Sequence, residues 1–255
     1  MMSRLWKACV AAACAAVVLA GSPRATAESV SLAFDKSVNP AVSLSGSGAG
    51  PYTPTGPFYW HDSGLPANTN FPPPTVTFCI DVNGSLPSVG GSAVFGVATV
   101  DGYLGAAKGA AITELYGRFF DTAWNSTSFA GSTASIAFQL AMWELAIDGK
   151  PIAGNLTDLS NGTFTASSLI GPAQTLAQTW LNALNGNVSS FNTRFGGQEL
   201  VALYTPVPPK NQVWQNQVTL RPKAVPAPPG VVLAGLGMLG LFARSRLLRR
   251  KEAIV

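Results

Sequence analysis

The sequence has little cysteine, little histidine and little charge. Three cysteines and one histidine occur in 255 residues, and charged residues make up 11% of the chain. Cys9 and Cys14 fall in an N-terminal export signal, so Cys79 is the only cysteine expected in the mature protein, which excludes an intramolecular disulfide. One cysteine and His61 are too few for a zinc site, and no Gly-x-Ser-x-Gly segment supports a Ser-His-Asp triad built on that histidine.

Basic residues are concentrated at the two ends of the chain. The whole sequence has a formal net charge of +4, but residues 28–223 contain eight basic and eleven acidic residues, a net charge of −3. The excess of basic residues therefore belongs to the terminal segments, and no DNA- or RNA-binding surface is expected. The Gly-rich stretch 46–50 is followed by neither a lysine nor a helix start, so it does not predict a phosphate site.

Residues 1–27 have the three parts of a signal peptide. Arg4 and Lys7 give a positively charged start, and the apolar run 8–20 that follows is too short to span a bilayer comfortably. Ala25-Thr26-Ala27 is a small-x-small cleavage pattern. We therefore expect export, with Glu28 as the first residue of the mature chain.

The C-terminal residues predict a membrane anchor. Residues 221–230 form a Pro-rich stalk, residues 231–243 are apolar and Gly-rich, and five basic residues follow between positions 244 and 251. The segment 231–255 is thus predicted to be a transmembrane helix in the inner membrane with a basic cytoplasmic tail. A simple tail anchor is one interpretation of this pattern.

A second interpretation comes from the residues just before the apolar segment, Val225, Pro226, Ala227 and Pro228. A short Pro motif, a membrane helix and a basic tail, in that order, resemble the PEP-CTERM sorting signal of Gram-negative bacteria. The resemblance implies processing by an exosortase, a membrane-embedded transpeptidase, and release to the cell surface or extracellular matrix. Ala227 stands where that family usually has glutamate.

The residues between the two targeting segments predict an α+β fold, because strands are followed by helices and then by strands again. The predicted strands are 29–34, 75–82, 94–100, 199–204 and 213–220; the predicted helices are 106–123, 132–147 and 172–184, with a polar loop or short hairpin at 155–168. We expect a β-sandwich or barrel with a helical subdomain. Residues 28–74 are assigned to an N-terminal β and loop region, and residues 75–220 to the core.

Gln139 is a polar residue inside the apolar helical stretch 136–144, and Cys79 lies in an apolar predicted strand. A buried carboxamide is costly unless its hydrogen bonds are satisfied, and a lone buried thiol in an exported protein also needs an explanation. A thioester between the Cys79 sulfur and the Gln139 acyl carbon would account for both residues. Its formation requires contact between the groups, a polarised carbonyl and exclusion of water.

Phe78-Cys79-Ile80 and the segment from Phe138-Gln139 to Trp143-Glu144 resemble the thioester domains of bacterial surface adhesins. The resemblance implies a β-barrel with a helical subdomain and a Cys79–Gln139 bond at their junction. It also implies adhesion by covalent attachment to an amine-bearing surface or matrix ligand. Phe78, Asp81, Trp143 and Glu144 are candidates to support the site. The bond would act once per molecule and without a cofactor, so we do not expect an enzyme.

Two other hypotheses remain open from the sequence. In the first, the protein is a non-reactive structural or matrix component of the cell envelope or exopolysaccharide layer. Cys79 is then a small buried residue, and the Gln139 side chain hydrogen-bonds nearby backbone groups. Alternatively, Cys79 pairs with His61 as an exported thiol hydrolase. The Pro-rich surroundings of His61 predict a loop there.

Overall fold

The computed structural model describes the following residues: 28–39, 41–42, 44–45, 53–63, 71, 73–149, 158–166, 171–206 and 214–223. The predicted signal peptide, sorting motif 225–228 and transmembrane segment lie outside them. Ala27–Lys223 form one compact unit. Within the described ranges, no helix has the length and apolar character needed to cross a membrane.

In the described part of the chain, six strands close into an antiparallel barrel. They are β1 Ser29–Ser37, β2 Phe58–Asp62, β3 Thr75–Cys79, β4 Ser92–Thr99, β5 Gln198–Tyr204 and β6 Gln217–Pro222. Their order around the barrel is β1-β2-β3-β6-β5-β4, and β4 pairs with β1 to close it. The predicted α+β class is confirmed, and the β part is a barrel rather than a sandwich. Strands from both 28–74 and 75–220 contribute to it.

Five α-helices and one short 3-10 helix are described. They are α1 Val100–Leu104, α2 Ala106–Phe119, the 3-10 helix Thr122–Asn125, α3 Thr133–Ile147, α4 Gly171–Ala183 and α5 Ser189–Phe195. The central helix is α3, which packs against α2, α4 and β3 and is buried over most of its length. Ser132 is its N-cap, because the Ser132 hydroxyl accepts a hydrogen bond from the Ser135 N–H.

Strand β2 corrects the prediction of a loop around His61. Phe58, Tyr59 and Trp60 are all buried, so the strand lacks the alternation that marks a strand with one exposed face. Trp60 packs edge-on against Phe95, whereas the Tyr59 hydroxyl donates to the Trp124 carbonyl 2.8 Å away. Both faces of β2 are thus covered, so its sequence does not alternate between apolar and polar residues and does not show that it is a strand.

Several predicted ends also differ from the structure. The helix predicted over 106–123 ends at Phe119, because Phe120 is extended and Asp121 caps the 3-10 helix that follows. The strand predicted over 75–82 ends at Cys79, and the strand predicted from 213 begins at Gln217. The short helices α1 and α5 were not predicted. Each is at most seven residues long, too short to show a helical period in the sequence.

An aromatic cluster joins the barrel to the helices. Phe78 on β3 lies at its centre, with ring centroids of Phe138 at 4.8 Å and Trp124 at 5.6 Å. Tyr116 and Phe120 complete the cluster, and each contacts Phe138. Burial of such large rings is a main source of stability, and here it fixes α3 against the end of β3. The candidate site lies at that junction.

Candidate functional site

The ladder between β2 and β3 stops two residue positions before Cys79. Its last registered pair is Phe58 with Thr77, and the same register, continued, would bring Pro57 opposite Phe78 and then Gly56 opposite Cys79. The Gln139 carboxamide, from α3, lies between these two residues instead. A side chain therefore occupies the place of a ladder hydrogen-bond pair.

The carboxamide is hydrogen-bonded through both of its polar atoms. Gln139 Oε1 accepts from the backbone N–H of Cys79 at 3.0 Å and from that of Gly56 at 3.3 Å. Gln139 Nε2 donates to the Cys79 carbonyl oxygen at 2.7 Å. Both residues are fully buried. The two predicted residues are thus in direct contact, and the cost of burying the amide is offset by these bonds.

Helix α3 presents this side chain because residues four apart lie on the same face of a helix. Ser135, Gln139 and Trp143 follow one another at that spacing. Ser135 is tied to the helix start through Ser132, and Trp143 donates from Nε1 to the Asp81 carbonyl oxygen at 3.2 Å. The residues on either side of Gln139 on this face therefore hold it over the end of β3.

The Cys79 thiol and the Trp143 indole N–H both point to the Asp81 carbonyl oxygen. Cys79 Sγ donates to the Asp81 carbonyl oxygen at 2.6 Å, beside the Trp143 Nε1–H. Burial raises the pKa of the Cys79 thiol well above its usual value, and the negative charge of Asp81 raises it further. The sulfur is therefore held as a neutral thiol, and its reactivity would depend on contact and on polarisation of the Gln139 carbonyl.

The Asp81 side chain shapes the turn after β3. Its carboxylate accepts from the Gly84 N–H at 3.1 Å and from the Asn216 N–H at 2.7 Å. Burial raises the pKa of Asp81, while these hydrogen bonds lower it. Asp81 thus supports the site through its backbone carbonyl, and its carboxylate links the turn after β3 to the residue that precedes β6. Phe78 supports it from the opposite face of β3, through the aromatic cluster.

Glu144 lies apart from the candidate pair, although it follows Trp143 in the sequence. Burial raises its pKa to about 8, and the negative charges of Asp148 and Asp158 contribute. One carboxyl oxygen, Oε2, is buried without a hydrogen-bond partner among the described residues. The structure thus places Glu144 in a separate acidic group and not beside Cys79.

His61 lies toward the opposite end of β3 from Cys79. Trp60 is in register with Thr75, so His61 falls beyond the first residue of β3, whereas Cys79 is its last residue. At about 3.3 Å per strand residue, this separation is roughly 15 Å. His61 Nδ1 instead contacts Asp35 Oδ1 at 2.6 Å on the exposed side of β2. The structure does not bring together the pair required by a thiol hydrolase.

Three residues of the site were missed in the sequence: Gly56, Ser37 and Asn39. A Cβ atom on Gly56 would lie 3.0 Å from Gln139 Oε1 and 3.0 Å from a ring carbon of Phe78, so this position favours glycine. Ser37 and Asn39 bond the backbone on either side of Gly56. None of the three has a reactive side chain. The one signal in the sequence is the glycine itself, since a glycine in an extended segment often marks a place where another group approaches the backbone closely.

The described residues include no group of three histidine, cysteine, aspartate or glutamate side chains placed to hold a metal ion. The chain matches no protein-family model, no curated protein and no solved structure.

Proposed function

We propose that Cys79 and Gln139 form an internal thioester that couples the exported protein covalently to an amine-bearing target. One observation carries the proposal: the Gln139 carbonyl oxygen accepts two backbone N–H groups while its amide contacts the residue that holds the thiol. Two such donors form an oxyanion site, which polarises a carbonyl and stabilises the charge that develops on its oxygen during acyl transfer.

The first step converts the contact into a bond. The Cys79 sulfur attacks Gln139 Cδ, the bond from Cδ to Nε2 breaks, and the thiol proton leaves on that nitrogen as ammonia. The fully buried setting of both residues excludes water and would protect the thioester from hydrolysis.

The second step transfers the acyl group to a target. A primary amine attacks Cδ, the bond from Cδ to sulfur breaks, and a proton from the amine passes to the sulfur to give a free Cys79 thiol. The product is an amide between Gln139 and the target, formed once per molecule. Because the pair is buried, this step requires local opening of the junction between α3 and the barrel.

The targeting segments give this chemistry a location. We propose that residues 1–27 direct export and that residues 231–255 anchor the chain in the inner membrane. The residues Val225, Pro226, Ala227 and Pro228 are the proposed recognition motif for an exosortase, which would release the protein to the surface or matrix. A mature chain with a net charge of −3 and no nucleic-acid-binding pattern is consistent with an extracellular role.

The experiment is the intact mass of the exported unit, residues 28–223, before and after methylamine. We expect a mass short by one ammonia before treatment and, after methylamine, an adduct at Gln139 that is one methylene group heavier than the calculated mass. Cys79→Ala should have its full calculated mass. Gln217→Leu is the matched control, because Gln217 is also a buried glutamine and is in register with Cys79, but its amide oxygen accepts from Thr77. That variant should still lose ammonia.

A second candidate function has its own supporting observation. All three hydrogen bonds of the Gln139 amide are formed in the unreacted state, so the pair is also a sufficient structural joint between α3 and β3. In that case the protein is a non-reactive envelope or matrix component. A full calculated mass with a free thiol on Cys79, and no methylamine adduct, would select this function over the first.

A further inference from the structure

The second donor of the oxyanion site comes from a segment that has left the barrel ladder. The pairing of β2 with β3 ends at Phe58, so the Gly56 N–H has no ladder partner to fix its direction. Glycine is also the residue with the greatest backbone freedom. The direction of this N–H toward Gln139 must therefore be set by other contacts.

Ser37 sets one end of the relevant peptide unit. Its hydroxyl donates to the Thr55 carbonyl oxygen at 2.8 Å. That carbonyl and the Gly56 N–H belong to the same planar peptide and point in opposite directions. Holding the oxygen on β1 therefore aims the N–H away from β1 and toward Gln139 Oε1.

Asn39 holds the next peptide unit. Its Nδ2 donates to the Gly56 carbonyl oxygen and to Ser135 Oγ, the latter at 2.9 Å. Ser135 Oγ also lies 3.2 Å from Asn39 Oδ1. Asn39 is only 8% exposed. It therefore connects Gly56 to the same helix that carries Gln139, one turn before that residue.

We propose that Ser37 and Asn39 are positioning residues for acyl transfer, because they hold the Gly56 N–H as the second donor to the Gln139 carbonyl oxygen. This inference rests on the proposed thioester. As sulfur adds to Cδ, negative charge develops on Oε1, and the two N–H groups then bond an oxyanion instead of a neutral amide. Hydrogen bonds to a charged oxygen are shorter and stronger, so the 3.3 Å contact from Gly56 tightens in this step.

The size of the effect follows from the number of donors. Loss of one oxyanion-hole donor typically slows a reaction by about 10²–10³-fold. Ser37 and Asn39 act through Gly56 and leave the donor itself in place, so each substitution should cost less, about 10-fold. The Cys79 N–H, which belongs to the barrel strand, should remain in position in both variants.

The test measures the rate of ammonia loss by intact mass as the unfolded unit, residues 28–223, refolds, together with the melting temperature of each variant. Ser37→Ala and Asn39→Ala should form the thioester about 10-fold more slowly than the parent. Ser37→Thr, which keeps a hydroxyl, should restore the parent rate. Ser63→Ala is the matched control, because the Ser63 hydroxyl also donates to a backbone carbonyl of β1, that of Ser31, at 3.2 Å.

The outcomes distinguish failure of the positioning role from failure of the proposed thioester. Formation of the thioester at the parent rate in both Ser37→Ala and Asn39→Ala would overturn the positioning role and leave the thioester standing. Equal slowing in Ser63→Ala, in step with lower melting temperatures, would reduce the effect to general stability and also overturn it. Absence of the thioester in the parent protein would overturn both. If Asn39→Ala does not fold, Ser37→Ala and Ser37→Thr decide the question.

Discussion

Gly56 and Cys79, which lie beyond the last pair of the ladder between β2 and β3, both donate their backbone N–H to the same atom of Gln139. Gln139 Oε1 receives both hydrogen bonds, and Gln139 Nε2 bonds the Cys79 carbonyl oxygen. A carboxamide has the same donor and acceptor groups as a peptide unit, so it extends the ladder in place of a strand. One side chain thereby joins the central helix to the barrel.

Replacing Gln139 should therefore destabilise the fold as well as abolish the thioester. Gln139→Ala leaves the Cys79 N–H and carbonyl buried without partners, which we expect to lower the free energy of unfolding by about 2–4 kcal/mol. Urea denaturation measures this loss. Gln198→Ala, at an exposed glutamine on β5, is the control and should change stability little. A loss below about 1 kcal/mol in Gln139→Ala would contradict the structural role.

A methyl group at Gly56 should disturb the oxyanion site directly. In Gly56→Ala the new Cβ would lie 3.0 Å from Gln139 Oε1 and from the Phe78 ring, so the carboxamide must shift. We expect a stability loss of about 1–3 kcal/mol, as for other overpacked sites, and a thioester yield well below that of the parent. Gly197→Ala is the control, because a Cβ there meets no atom within 4 Å. Normal yield in Gly56→Ala would argue against the Gly56 donor.

Capture of methylamine should be limited by opening of the junction. Cys79 and Gln139 are both fully buried, so the amine can attack only in a transiently open state. The rate of adduct formation should rise with methylamine concentration, then level off at the opening rate, and should increase in urea concentrations below the unfolding transition. Intact mass over time follows both effects. A rate that stays linear in methylamine and indifferent to urea would mean that the site is open in the native state.

Glu144 should give the protein a stability that falls as pH rises. Its pKa is raised from 4.5 to about 8 by burial, so between these values the folded state keeps a proton that the unfolded chain releases. The stabilisation is complete below about pH 4.5 and is lost through about pH 8, with a slope of up to about 1.4 kcal/mol per pH unit.

Urea denaturation across that pH range measures the slope. Glu144→Gln, which is neutral throughout, should flatten the curve, whereas Asp101→Asn, at an exposed carboxylate on α1, should not. The same pH dependence in Glu144→Gln as in the parent would show that the Glu144 carboxyl titrates normally.

The two residues at the centre of the site were predictable because each is unusual in its surroundings. Cys79 is the only cysteine after residue 27, and Gln139 interrupts an apolar helix. Gly56 was not predictable, because it acts through its backbone N–H, and that N–H reaches Gln139 only because the ladder between β2 and β3 stops early. Ser37 and Asn39 were hidden for the same reason: their partners are backbone carbonyls of residues far along the chain.

Glu144 is a candidate to support the site because it follows Trp143 in the segment that resembles the thioester domains. Neighbouring residues in a helix, however, point about 100° apart. Trp143 is four residues after Gln139 and shares its face, whereas Glu144 is directed toward Asp148 and Asp158. The sequence predicted either a β-sandwich or a β-barrel and could not decide between them. The barrel is closed by pairing of β1 with β4, which are more than fifty residues apart in the sequence.

The chain leaves the barrel at the end away from Cys79. Strand β6 begins at Gln217, which is in register with Cys79, and runs to Pro222, where Arg221 holds Glu28 at 2.5 Å and Glu199 at 2.8 Å. Tension applied between Lys223 and Gln139 would pull β6 lengthwise past β5, so that the hydrogen bonds of six paired residues resist the load together.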